Sequence, residues 1–322
     1  MSPSMPACTT SGEAARAWEG SAASTASAAT SGRSPNRRPG MVAGVYVRPK
    51  TAPGGCGPCI TSNVASSVIA VGDEVLAGFQ LDTNSHWLAE RLRLLGFPVK
   101  RITVVKDRQA DIVEQIRRDL ADPEVEDVFC SGGLGPTPDD RTFEAVAAAL
   151  RRGLITWQPV LEKIERRVLR LHEAGLIDSA QVSEGNFRMA RIPADPGHVF
   201  RNSRGMAPGV VYPVDGRRLF VLPGVPAEIR GIFTEELEPQ FLAGRSGAVV
   251  HELRFVFAVE ARFYPVMREL EASHPDVSVG SYPYFETKEL VLRFLGEDPA
   301  RVAEAVDVLR ARVAIMGITP SG

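Results

Sequence analysis

The fold is decided by the stretch Val128-Phe129-Cys130-Ser131-Gly132-Gly133-Leu134-Gly135-Pro136-Thr137-Pro138-Asp139-Asp140-Arg141-Thr142. It opens with a short apolar run, which predicts a buried strand. Three glycines then allow a sharp turn of the backbone and expose its N–H groups. The next segment, 143–150, is a strong helix former. Strand, glycine loop and helix in this order direct N–H groups and a helix dipole at one point, where an anion binds well.

The glycine loop also carries two adjacent carboxylates, Asp139 and Asp140. Carboxylates repel a bare phosphate, but Mg²⁺ accepts one or two of them together with phosphate oxygens. Alternatively, they accept hydrogen bonds from a polar ring or a ribose, or one of them caps the following helix. The loop is not a P-loop, because no Gly-Lys-Ser/Thr follows the glycines.

Two further strand-and-helix pairs precede this stretch. The predicted elements are strands at 67–71 and 99–105 and helices at 82–95 and 111–120. Their alternation predicts right-handed crossovers and a parallel sheet in an α/β fold. Ligands of such sheets bind beyond the carboxyl ends of the strands. We therefore expect Gly72-Asp73-Glu74, Asp107 and the glycine loop to converge there.

The segment 131–142 resembles the signature Thr-Gly-Gly-Leu-Gly-Pro-Thr-x-Asp-Asp-x-Thr of the competence/damage-inducible protein A (CinA) family. That family is built on the molybdopterin-binding (MoaB/Mog-type) domain. The resemblance covers about 67–313 and implies a three-layer α/β/α fold with a mostly parallel sheet. It also implies that Asp107 faces the ligand, although a helix-capping turn acid is an equally good reading of the pattern.

Two later segments resemble the same family. Asn202-Ser203-Arg204-Gly205-Met206-Ala207-Pro208-Gly209 matches its Asn-x-x-Gly-x-Ala-Pro-Gly. The strand at 218–222 runs into Pro223-Gly224 and a helix start, as in its Leu-Pro-Gly-x-Pro-x-Glu, which makes Glu228 a candidate metal or ligand contact. An acid at this place also simply complements the helix dipole. The segment 183–193 resembles a third family motif, but Arg188 is shifted relative to it.

From these residues we expect a nucleotide-type or pterin-type diphosphate to bind at the sheet edge. The expected catalytic residues are Asp140 and Asp107, and the expected metal ligands are Asp139, Asp140 and Glu228. The expected ligand contacts are Gly72, Asp73, Glu74, Ser131, Gly132, Gly133, Gly135, Pro136, Thr137, Asn202, Gly205, Pro223 and Gly224.

The expected cofactor is a divalent cation, Mg²⁺, Mn²⁺ or Co²⁺, which would polarise a phosphoryl oxygen and activate water. The resemblance implies a pyrophosphatase of ADP-ribose or a related dinucleotide. The alternatives are a protein that binds molybdopterin or transfers an adenylyl group in molybdenum-cofactor biosynthesis, and a non-catalytic binding module. Domains of this type commonly self-associate, so we expect a homo-oligomer.

The chain outside the domain at 67–246 divides into two parts. Residues 247–318 predict a small α+β domain in the order βαββα. Residues 1–66 are rich in Ala, Ser, Thr, Gly and Pro, and we expect this tail to be disordered. One interpretation of the tail is a transit peptide. The alternative is that the sequence begins at an upstream start codon, or carries an unstructured tail, and that Met41 is the true initiator methionine. Full-length members of the family often continue into a nicotinamide-nucleotide deamidase domain, and we expect no such domain or activity in this chain.

Composition limits the remaining possibilities. The formal net charge is −2, so no basic excess points to nucleic acid. No stretch approaches the roughly 18 apolar residues of a membrane helix. Four cysteines form no disulfide framework, which indicates a reducing cytoplasm. Cys56 and Cys59 form a Cys-x-x-Cys pair, but the context of a redox or zinc motif is missing.

Overall fold

The computed structural model describes residues 65–245 and 247–321. The pair Cys56–Cys59 and nearly all of the predicted tail lie outside these residues. The first strand begins at Ala65, two positions inside the predicted tail. The Ala65 amide donates to the carbonyl of Glu124, and Ser66 is buried, so the strand begins earlier than predicted.

Strands and helices alternate through the first two thirds of the described chain. The strands are β1 (Ala65–Val71), β2 (Val99–Val105), β3 (Val125–Ser131), β4 (Leu154–Thr156), β5 (Arg191–Pro193), β6 (His198–Phe200), β7 (Gly209–Val214), β8 (Arg217–Leu222), β9 (Val249–Val256), β10 (Ser278–Tyr284) and β11 (Glu289–Gly296). The helices are α1 (Asp73–Leu76), α2 (Thr83–Leu94), α3 (Gln109–Ala121), α4 (Thr142–Leu150), α5 (Gln158–Glu173), α6 (Glu184–Arg188), α7 (Pro226–Ile232), α8 (Glu238–Phe241), α9 (Tyr264–Ser273) and α10 (Pro299–Ile315).

The main sheet has six strands in the order β2-β1-β3-β8-β7-β6. Its first four strands are parallel, and β7 and β6 are antiparallel to their neighbours. The predicted mostly parallel sheet is therefore confirmed. The antiparallel extension and the small β4–β5 ladder were not predicted, because their strands are short and carry no alternating pattern strong enough to distinguish them from loops.

Helices cover both faces of this sheet, as predicted for a three-layer fold. Successive strand residues point to opposite faces. Val68 and Phe129 belong to one core cluster, and their neighbours Ile69 and Cys130 belong to the other. The first cluster includes buried residues of α2 and α7, and the second includes buried residues of α3, α4 and α5.

Residues 249–315 form the predicted βαββα unit. Its three antiparallel strands have the order β10-β11-β9, and α9 and α10 pack on them. The core of this unit, which includes Phe255, Phe294 and Leu309, is a cluster separate from those of the main sheet. Within the described residues, no helix is long and apolar enough to cross a membrane.

Candidate active site

The loops that follow the four parallel strands meet at one edge of the main sheet. The amide of Asp73, after β1, donates to Oδ2 of Asp107, after β2, at 2.7 Å. The hydroxyl of Ser131, at the end of β3, donates to the carbonyl of Pro223, after β8, at 3.0 Å. The structure therefore brings together predicted site residues that lie 34 and 92 positions apart in the chain.

Gly132 is the closest packing point of this edge. Its amide donates to the carbonyl of Leu222, and its carbonyl accepts from the Thr142 hydroxyl at 2.8 Å. Its φ is +107°, and a Cβ at this position would lie 2.2 Å from the carbonyl oxygen of Val71. Only glycine fits, because the loop passes directly over the end of β1.

The next three residues provide the free N–H groups expected of an anion site. Gly133 and Gly135 are partly exposed, and Leu134 buries its side chain. Over the described part of the chain, the amides of Gly133, Leu134 and Gly135 have no hydrogen-bond partner. They lie between β3 and the amino end of α4, whose dipole favours negative charge. The arrangement suits a phosphate group.

The adjacent carboxylates of the loop have different roles. Oδ2 of Asp140 accepts from the Thr137 amide at 2.8 Å and from the Thr137 hydroxyl at 2.6 Å, so this carboxylate shapes the loop. Neither acid caps α4, whose N-cap is Arg141 without a side-chain hydrogen bond. Asp139 is exposed, and its pKa is lowered chiefly by Thr137, then by its own amide and by the charges of Arg141 and Arg188. Asp139 is therefore ionised at neutral pH, and its exposed side chain is accessible to a ligand.

The pKa of Asp107 is raised above its ordinary value. Burial raises its pKa, the hydrogen bond from Asp73 opposes this, and the charges of Glu74, Asp73 and Asp139 raise it further. It does not cap the helix that follows it, since the N-cap of α3 is Arg108. A partly buried carboxylate amid three others is stabilised by a cation, so the electrostatics favour a positively charged partner.

The predicted metal ligands do not form one cluster. In 65–245 and 247–321, no three histidine, cysteine or acidic side chains are placed to hold a metal ion. Asp140 is bound to Thr137, and Glu228 is engaged elsewhere. Asp107 and Asp139, whose charges interact, fit a hard divalent cation that takes one or two carboxylates and completes its shell with phosphate oxygens and water.

A second group of predicted residues surrounds Glu228. The Asn202 amide donates to Glu228 Oε2 at 2.5 Å, and its Oδ1 accepts from the Gly205 amide at 2.8 Å. A Cβ on Gly205 would lie 1.9 Å from Glu228 Cδ, so the 202–209 loop lies flat against this carboxylate. Lys163 donates to the carbonyls of Asn202 and Gly205, and burial lowers its pKa. Among the described residues, no hydrogen bond links this group to the glycine loop.

Three other predicted residues have backbone roles at the edge. The Gly72 amide donates to the carbonyl of Val105, which fixes the turn after β1. The Gly224 carbonyl accepts from the side chain of Asn84 at 2.6 Å. Pro136 lies against Gly185 of α6, where a Cβ would meet the Pro136 carbonyl at 2.3 Å. Glu74 folds its carboxylate back over Gly72.

Sequence reasoning missed three residues that hold the site together. Arg188 donates to the carbonyls of Thr137 and Asp140 and to Glu144, and so clamps the loop tip. Asn84 anchors the Pro223-Gly224 turn, and its Oδ1 is buried without a partner among the described residues. Lys163 is the third. The polar run Asp82-Thr83-Asn84 at the start of α2 is a signal that could have pointed to Asn84. Lys163 stands on an amphipathic helix whose charged face is ordinarily solvated.

Two parts of the chain match known protein families. The family described as "Probable molybdopterin binding domain" matches residues 67–243, and the family described as "FAD synthase, middle domain" matches residues 249–321. A protein of Thermococcus kodakarensis is 34% identical over 250 residues, which cover 77% of this chain and 96% of that protein. A protein of Aeropyrum pernix is 38% identical over 218 residues, which cover 67% and 78%.

A solved structure, titled as the protein CinA with unknown function from Thermoplasma acidophilum, is 30% identical. It covers 54% of this chain and 98% of that chain, with a TM-score of 0.48. The family match spans more than half of the chain and coincides with the strands that build the glycine-loop edge. The chain therefore belongs to the molybdopterin-binding domain family, as the resemblance of its glycine loop predicted.

Proposed function

We propose that this protein binds a nucleotide-type diphosphate at the glycine-loop edge and hydrolyses its pyrophosphate bond with a divalent metal ion. The observation that carries the proposal is the juxtaposition of free loop amides with the acidic group around Asp107. Amides attract a phosphate, whereas carboxylates repel it unless a cation lies between them. The two features are compatible when phosphate and cation bind together.

The chain's own residues divide the work in the following way. The amides of Gly133, Leu134 and Gly135 hold phosphate oxygens, and Arg188 keeps the loop tip in place. Asp107 and Asp139 would hold the cation. A bound divalent cation would neutralise phosphoryl charge and lower the pKa of an attacking water. Since two carboxylate ligands leave most of the coordination shell of a divalent cation to other groups, we expect tight metal binding only when the diphosphate is present.

ADP-ribose or a related dinucleotide is the substrate class. The name of the family that matches residues 249–321 connects a related domain with FAD, a dinucleotide with a pyrophosphate bond. This supports the inclusion of FAD among the substrates to be tested.

Purified protein incubated with Mg²⁺, Mn²⁺ or Co²⁺ and with ADP-ribose, FAD, NAD or adenylated molybdopterin tests the proposal through release of AMP. We expect metal-dependent AMP from at least one free dinucleotide. Asp107→Asn and Asp140→Asn should reduce it, whereas the exposed Asp178→Asn, which removes the same charge, should not. Equal loss in all three variants would contradict the assignment.

A second candidate function is pterin binding without hydrolysis, and the family match over 67–243 favours it. The same amides would then hold the pterin phosphate. Turnover of adenylated molybdopterin alone would move the protein to molybdenum-cofactor biosynthesis. No AMP from any substrate, together with tight pterin binding by calorimetry, would exclude the hydrolase and leave a binding protein.

A further inference from the structure

A cavity of about 600 Å³ lies at the opposite edge of the main sheet, where β3 and β8 begin. The carboxyl ends of α3 and α4 and the turn between β7 and β8 line this cavity, which is open to solvent. Four arginines and one acid, Asp215, are the charged residues of its wall. The arginines are Arg117, Arg151, Arg152 and Arg217. The wall has a formal charge of +3, in a chain whose net charge is −2.

The positive charge of this wall is not neutralised by the protein. Across the described chain, none of the four arginines forms an ion pair. Three of them donate to main-chain carbonyl oxygens instead. These bonds are Arg117 to Ala148 at 2.8 Å, Arg152 to Asp195 at 2.7 Å, and Arg217 to Val125 at 2.9 Å. A carbonyl is a neutral dipole, so each guanidinium keeps its full charge while its position is fixed.

Arg151 differs from the other three. Its guanidinium is exposed and has no partner among the described residues. It occupies the C-cap of α4 in the left-handed conformation, with φ +56°, where glycine is the usual residue. Capping of helix carbonyls explains Arg117, which donates to the end of α4. It does not explain why Arg151 extends a free cation beside the same cavity.

We propose that this cavity binds a small anion that carries phosphate groups. Guanidinium groups match phosphate in charge and in the fork of their N–H donors. The volume lies within the range of small-molecule pockets and admits pyrophosphate or a nucleotide. This site is distinct from the glycine loop, since the two occupy opposite edges of one sheet and use different donors, side chains here and main-chain amides there.

Calorimetric titration with inorganic pyrophosphate and with ADP tests the proposal and separates a free anion from a nucleotide. Arg151→Gln should weaken binding of the preferred probe by about tenfold or more, because it removes a charge from the wall. Arg118→Gln is the matched control, since Arg118 is an exposed neighbour on α3 that does not line the cavity. Like Arg151, it forms no ion pair with any residue that the structure describes. Asp215→Asn should tighten binding, because it removes the negative charge of the wall.

Hydrogen exchange with and without pyrophosphate locates the bound anion. We expect protection at 117–121, 149–152 and 213–217. Binding that Arg118→Gln and Arg151→Gln weaken equally would overturn the proposal, and so would protection confined to 132–140. Failure of the proposed hydrolysis would leave this result unchanged, because the Arg151 variants do not alter the glycine loop.

Discussion

The two edges of the main sheet use opposite chemistry, although the same strands form both. The carboxyl edge carries free amides and the acidic group Asp73, Glu74, Asp107 and Asp139. The amino edge carries the arginine-lined cavity. Helix dipoles account for part of this difference, because helices begin at the carboxyl edge and end at the amino edge. Sensitivity to substitution should therefore lie in glycines and acids at one edge and in arginines at the other.

The largest expected effect concerns Arg218, an arginine near the amino edge that is paired with an acid and is therefore not available to a ligand. Arg218 forms two hydrogen bonds of 2.6 Å with Asp127, which is 1% exposed. Arg218→Met leaves this carboxylate buried and unpaired, and we expect a loss of about 3–5 kcal/mol in the free energy of unfolding. Urea denaturation measures it.

Two controls belong to this experiment. The double variant Asp127→Leu/Arg218→Met should recover much of the stability, because no charge remains buried. Burial raises the pKa of Asp127, with Arg218 opposing the shift, so removal of Arg218 raises the pKa further. The single variant should therefore regain stability as the pH falls. A loss below about 1 kcal/mol would mean that this arginine is not structural.

The next expected effect concerns the main-chain character of the carboxyl edge. Gly132→Ala adds a Cβ 2.2 Å from the Val71 carbonyl in a left-handed conformation, and should cost about 2–4 kcal/mol. Gly175→Ala is the matched control, since its φ is +67° and nothing lies within 4 Å of the added Cβ. It should cost about 1 kcal/mol. Equal losses in urea denaturation would show that Gly132 needs its conformation but not its close approach.

Asp107→Asn separates stability from function at the same edge. Because the pKa of Asp107 is raised above its ordinary 3.8, the folded protein binds this proton more tightly than the unfolded chain does. Its contribution to stability is complete below pH 3.8 and is lost as the pH rises through the raised pKa. The Asn variant lacks this loss and should be at least as stable at pH 7, while AMP release falls by roughly 100-fold. Reduced stability of the Asn variant at pH 7 would contradict the inferred repulsion between Asp107 and the neighbouring carboxylates.

The smallest expected effect lies between the two edges, in the middle of the sheet. Burial raises the pKa of the Cys130 thiol to about 12 and removes it from solvent. Mass spectrometry of the Cys130 peptide after incubation with iodoacetamide at pH 8 should therefore detect no alkylation in the folded protein and complete alkylation in urea. Labelling of the native protein would reveal local opening of β3.

The fold was largely predictable from the sequence. Apolar residues at 67–71, 99–105 and 128–130 predict strands, and the segments between them show the periodicity of helices. This alternation specifies parallel crossovers. Short strands such as β6 (His198–Phe200) escaped prediction, because three residues carry no period and are held as strands by their neighbours. The candidate site was only partly predictable. Asp107 and the glycine loop directly follow predicted strands, so the sequence pattern marks them. Lys163 and Arg188 instead donate hydrogen bonds to loops that are distant from them in the chain, and no local pattern marks such a contact.

The sequence by itself determined the strand–glycine loop–helix unit, the mostly parallel sheet and the edge at which its loops meet. These follow from local rules of periodicity and from the handedness of crossovers. Only the tertiary structure decided that Glu228 joins Asn202 and Lys163, that Asp140 shapes its own loop, and that four arginines surround one cavity. Such pairings depend on the distances between elements, which a chain specifies only once its helices have packed on the sheet.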